Sequence, residues 1–104
     1  MPADATDHTA DAFIAHLQGE ASEAERLKYR RYFPERHEEF IGVRMGAVFA
    51  AARDNATMDL DQIERLLEHD AHEVRAGAVR IMAEQAKARA TTDERRQALA
   101  DEAS

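Results

Sequence analysis

Apolar positions recur along this chain at steps of three and four, and nowhere in strict alternation with polar ones. That step is the period of a helix with one buried face. Phe13, Ile14 and Leu17 mark a first helix over residues 9–18, with Gly19 as its stop. Ser22 and Glu25 open a second at the spacing of a capping box, where each side chain satisfies a free backbone amide near the other. Pro34 disfavours helical geometry at Phe33, so this helix ends at Tyr32. Leu27 and Tyr32 are its expected buried side chains. Residues 34–40 form a connection. A third helix begins at Val43 or Met45 and ends at Asp54, with Val48, Phe49 and Ala52 as its apolar stripe. Phe40 and Ile41 pack at its entrance, where Gly42 is free to take a turn conformation that other residues resist. Asp59 N-caps a fourth helix with Gln62 at the box position, and Leu60, Ile63, Leu66 and Leu67 follow its period. A fifth runs over residues 71–88, capped by Asp70 and Glu73, with Val74, Ala78, Ile81, Met82 and Gln85 along one side. Thr91 and Glu94 announce a sixth, with little apolar content beyond Leu99. Residues 1–8 read as a disordered lead. The prediction is an all-α chain: one domain over residues 9–104, about six helices in stacked antiparallel pairs, the last cut short.

Composition narrows this picture. The 104 residues suit one small domain, and much of the 44% hydrophobic content is alanine, which makes for a thin, closely spaced core. The absence of cysteine excludes disulfides and thiolate metal sites and fits the cytoplasm. No apolar run approaches the ~18 residues of a membrane span, and no secretory signal is visible. The net charge of −7 is unevenly spread. Residues 1–25 carry −6, residues 26–53 carry +4, and residues 54–104 carry −5. A basic island sits between acidic flanks.

That island supplies the candidate binding residues. Lys28, Arg30 and Arg31 on the second helix, with Arg44 at the entrance of the third, suit contacts to backbone phosphates. Arg44 would add its charge to the free amides of a helix N-terminus. The alternative is a solvated face with Arg44 paired to Glu38 or Glu39. The segment from Glu68 to Glu73 sets histidines beside carboxylates, but it reads as an interhelical turn rather than a metal site. Glu73 and Arg75 are expected in ion pairs between neighbouring helices, and His72 at the surface. The acids otherwise occupy caps and exposed faces, Asp54, Asp59 and Asp61 around one loop, and none is singled out as catalytic. The aromatics are expected mostly in the core, with Tyr29 or Tyr32 exposed beside the basic helix.

The run from Tyr29 to Asp54, YRRYFPERHEEFIGVRMGAVFAAARD, and the run from Leu60 to Ala88, LDQIERLLEHDAHEVRAGAVRIMAEQAKA, together resemble the AlkD-like DNA alkylation repair family. An aromatic-bearing basic helix, Phe-Ile-Gly-Val-Arg entering a helix, a Leu-Leu pair and His-Glu-Val-Arg leading an alanine-rich helix follow in order. The resemblance covers roughly residues 10–100. It implies a superhelix of HEAT-like helix pairs cradling duplex DNA on a basic concave face. It also implies hydrolysis of the N-glycosidic bond of alkylated purines, without metal or other cofactor. The family's catalytic aspartate, its aromatic partners and an arginine lie on helices beyond the equivalent of the fifth, and its Trp-Asp signature has no counterpart here. The expectation is therefore the DNA-cradling, N-terminal half of such a protein, with no catalytic residue and no activity by itself. The alternative is a non-enzymatic HEAT-like module, binding DNA or protein, with an exposed apolar face at Ile81 and Met82 that favours a homodimer.

Overall fold

The computed structural model describes residues 8–35 and 39–103. Among them are five helices and no strand beyond one isolated bridge, Glu39 with Ala71. The helices are α1 (Ala10–Gly19), α2 (Glu23–Tyr32), α3 (Met45–Asp54), α4 (Leu60–Leu67) and α5 (His72–Ala103). The expected lead over residues 1–8 lies outside the described residues except for His8. The His8 ring meets the Asn55 amide oxygen at 3.1 Å.

The helix starts follow local chemistry. Thr9 caps α1 by accepting from the Ala12 amide, and Ser22 caps α2 by accepting from Glu25. The Ser22 amide does not go to Glu25, as a full capping box would have it; it donates to the Gly42 carbonyl at 2.8 Å and ties α2 to the following loop. Asp59 is the N-cap of α4 without a side-chain bond. Gln62 is spent elsewhere, its side-chain oxygen accepting from the Ala10 amide at 2.8 Å, so α4 caps α1.

α3 and α4 pack on α5, and α1 lies across α3 and α4. Phe13, Leu17, Val48, Ala52, Ile63, Leu66, Val74 and Ile81 fill the core, with Val43 and Met58 from the loops. Phe13 reaches α5 because Gly77 has no side chain: a Cβ there would stand 2.6 Å from the end of the ring. Ile81, expected to be exposed, is fully buried between these helices, while Met82 is 43% exposed.

Two further expectations fail. α2 buries none of its residues, and Leu27 and Tyr32 face solvent. The helix is held through Tyr29 and the loop after it, so it needs no apolar stripe of its own. The sixth helix does not exist as a separate element, because α5 runs unbroken through Thr91 and Thr92. Their hydroxyls donate back to the carbonyls of Lys87 and Ala88, at 3.1 and 3.0 Å, instead of capping a new start. The 32-residue helix is about 48 Å long. It stretches the molecule to 59 × 37 × 21 Å with a radius of gyration of 16.9 Å, against about 13 Å for a compact chain of this size. Among the described residues no helix is long and apolar enough to cross a membrane.

Candidate nucleic-acid interface

The basic island is built around the loop over residues 39–44. Phe40 is buried there, stacked on Tyr29 of α2 with ring centroids 5.0 Å apart, and tilted against His72 of α5 at 5.5 Å. Phe33 lies beyond it at 6.3 Å. The Tyr29 hydroxyl donates to the Val43 carbonyl at 2.8 Å, one residue before Arg44. Burial, then the negative charges of Glu73 and Glu25, push this phenol up to about 12. Gly42 has φ +97°, a conformation open to glycine, and a Cβ there would strike the Ser22 carbonyl and the first turn of α2.

Beneath this loop lies the least expected side chain. Glu73 is fully buried, the one buried charged residue among those described. Its carboxylate accepts from three successive backbone amides: Ile41 at 3.0 Å, Gly42 at 2.7 Å and Val43 at 3.0 Å. A buried charge is tolerable when it is hydrogen-bonded this fully, and each bond to a charged acceptor is worth about 1.5–3 kcal/mol. Glu73 is thus neither the capping partner of Asp70 nor a member of an ion pair between helices. Arg75 donates instead to the carbonyls of His69 and Asp70, and the His69 ring accepts from the Ala71 amide. His72 is half-buried against Phe40 and Tyr29 rather than at the surface. Among the described residues no three His, Asp or Glu side chains converge on a point where a metal could sit.

The cations differ in their surroundings. Arg26 is engaged by Glu23, whose carboxyl its guanidinium holds below the usual range. Lys28 lies 3.5 Å from Glu25, with both in contact with solvent, a pair worth little in water. Arg30 and Arg31 are exposed on α2, and Arg44 is exposed as the N-cap of α3, where no side chain caps the helix. Among the described residues none of these three has an ion-pair partner. Glu39 is within reach in sequence but makes no ion pair with Arg44; Glu38 lies outside the described residues. The Tyr29–Val43 bond brings the root of Arg44 to the flank of α2, so the four predicted residues belong to one assembly of α2, loop and α3.

A family model described as DNA alkylation repair enzyme matches residues 13–102, from within α1 to the end of α5. The chain belongs to that family. Comparisons with individual curated proteins and with solved structures return no match. In this DNA alkylation repair chain, sequence reasoning found the cations but missed what holds them, Glu73 and Tyr29. A signal for Glu73 was present: residues 73, 77 and 81 are spaced by four, and Gly77 and Ile81 face the core.

Proposed function

We propose that this chain is the DNA-cradling part of a DNA alkylation repair protein, its helices packed as HEAT-like antiparallel pairs in one domain. Lys28, Arg30, Arg31 and Arg44 contact backbone phosphates of duplex DNA. The observation that carries this reading is the trio of exposed, unpaired arginines on a loop and helix locked by the Glu73 carboxylate. A loop backbone held in place before binding loses little freedom on binding, and phosphate contacts need no base sequence. The excision chemistry of the family belongs to residues outside these 104. Among the described residues the one buried carboxylate has both oxygens engaged by amides, which leaves it poorly placed to steady a developing positive charge. The setting is cytoplasmic, as a chain without cysteine suits a reducing compartment.

The test is binding of the chain to a labelled duplex across a salt series. Affinity falls steeply with salt, and replacing Arg30, Arg31 and Arg44 by alanine together flattens the log–log slope by about 3. Binding that ignores both salt and these substitutions refutes the reading. The same preparation releases no 7-methyl or 3-methyl purine from alkylated DNA; release would overturn the assignment of chemistry elsewhere. A second reading, self-association as a helical module, is favoured by the bare distal part of α5.

A further inference from the structure

Beyond Gln85, whose side-chain amide donates to the Met58 carbonyl at 2.7 Å, α5 leaves the body of the protein. Residues 86–102 are exposed on every side. A helix of this length is marginal alone in water. Its face carries on the buried stripe of Val74, Ala78 and Ile81 through Ala88, Thr92 and Leu99, with Leu99 66% exposed. A shallow hollow on the same helix is lined by Ala88, Arg89, Thr92, Asp93 and Arg96. The Thr92 hydroxyl is already committed to Ala88, so the hollow presents no unmet donor there.

The charges on this segment come in blocks of alternating sign: Lys87 and Arg89, then Asp93 and Glu94, then Arg95 and Arg96, then Asp101 and Glu102. Turned end for end about a point between residues 94 and 95, six of these eight charges meet their opposites, while Arg89 and Asp101 fall opposite Ala100 and Ala88. Lys87 falls opposite Glu102, Asp93 opposite Arg96, and Glu94 opposite Arg95. Among the described residues none of these six is held by an ion pair. At about 100° per residue, Arg95 and Glu102 lie about 40–60° to one side of the centre of the Ala88–Thr92–Leu99 face and Arg96 about 60° to the other; Glu94, Lys87 and Asp93 lie further round on the same sides, at about 120–140°, so each pair spans the edge of the interface. In the same register Leu99 stands level with residue 90 of a second copy. That is midway between the copy's Ala88 and Thr92, at the hollow.

We infer that the distal half of α5 is a self-association surface, on which a second copy of this chain packs antiparallel. Leu99 of each copy enters the hollow of the other, and the three charge pairs form twice about a two-fold axis. A parallel, in-register pair would set every charge beside its own twin, so the pattern selects the antiparallel arrangement. Small side chains at residues 88 and 92 let the helix axes approach to the ~8–10 Å of close packing. The inference rests on the second reading above and is independent of DNA contact, since none of the four proposed phosphate-binding residues takes part.

Sedimentation equilibrium of the 104-residue chain tests it. The expected apparent mass climbs from that of one 11.7 kDa chain towards twice that value between about 1 µM and 1 mM. Leu99→Glu raises the dissociation constant at least about tenfold. Arg96→Glu weakens association, and adding Asp93→Lys to it restores association. All three positions are exposed and outside the core, so these variants keep the fold. A chain monomeric at every concentration overturns both self-association and this register. A dimer that ignores Leu99→Glu, or that the double exchange does not restore, overturns the register alone.

Discussion

Glu73 decides more at the level of single residues than any other side chain in the protein. Its carboxylate is the acceptor for three amides that have no other partner in regular structure. Glu73→Gln removes the charge and turns an amide donor towards backbone donors, so we expect a loss of about 1.5–3 kcal/mol. In urea this lowers the unfolding midpoint with little change in slope. An unchanged midpoint would show that the nest carries no stability. Tyr29, whose hydroxyl sits over the same loop, gives the chain an alkaline limit. Its phenol is raised from about 10 in the unfolded chain to about 12 in the fold, first by burial and then by Glu73. The folded state holds that proton more tightly. The contribution is therefore complete below pH ~10 and is lost as pH rises through ~12. Urea unfolding at pH 9 and pH 11.5 should show this loss, and Tyr29→Phe should reduce the difference between the two; an equal difference in the variant would clear Tyr29 of the role. Neither residue was legible in its true part from sequence. A glutamate two residues into a helix reads as a capping charge, because the local pattern cannot show which remote amides lie above it. Gly42 was the visible half of the arrangement, since Ile-Gly-Val places a residue tolerant of positive φ among three uncapped amides.

At the level of elements, the unbroken α5 is the finding that departs furthest from the sequence pattern. Thr91 and Glu94 have the spacing of a helix start, yet nothing before them ends the preceding helix: no glycine or proline lies between Gly77 and Ala103. Cap signals say where a helix can begin, and only a breaker says where one must stop. Thr91→Pro supplies the breaker by removing an amide and clashing with the turn before it. The variant should lose the ellipticity of the segment beyond residue 90 and keep the thermal midpoint of the core. A fall in that midpoint would mean that the distal segment is packed against the body. The starts of α1 and α2 were readable because Thr9 and Ser22 act through their immediate neighbours; those of α3 and α4 were readable from the apolar period alone, since neither Arg44 nor Asp59 makes a side-chain cap bond. Which face of α2 is buried was not, since its anchoring comes from Tyr29 and a loop rather than from an apolar stripe. The exposed Leu27 and Tyr32 follow from that.

Across the whole molecule, charge is sorted in space much as it is sorted along the chain. The unpaired arginines gather where α2 meets α3, and the distal arm of α5 carries its charges in balance. A net charge of −7 therefore sits beside a local surface suited to phosphate, and the salt-dependence experiment reads that local surface rather than the total. The amides of residues 41–43 and their acceptor are separated by some thirty positions along the chain. Closing that span costs entropy that only the finished contact repays. The loop thus cannot reach its final shape before the first turn of α5 has docked, and it cannot open without undocking that turn. Arg44 is carried on a segment that belongs to the same cooperative unfolding unit as α5, with the lifetime of a core helix rather than that of a surface loop.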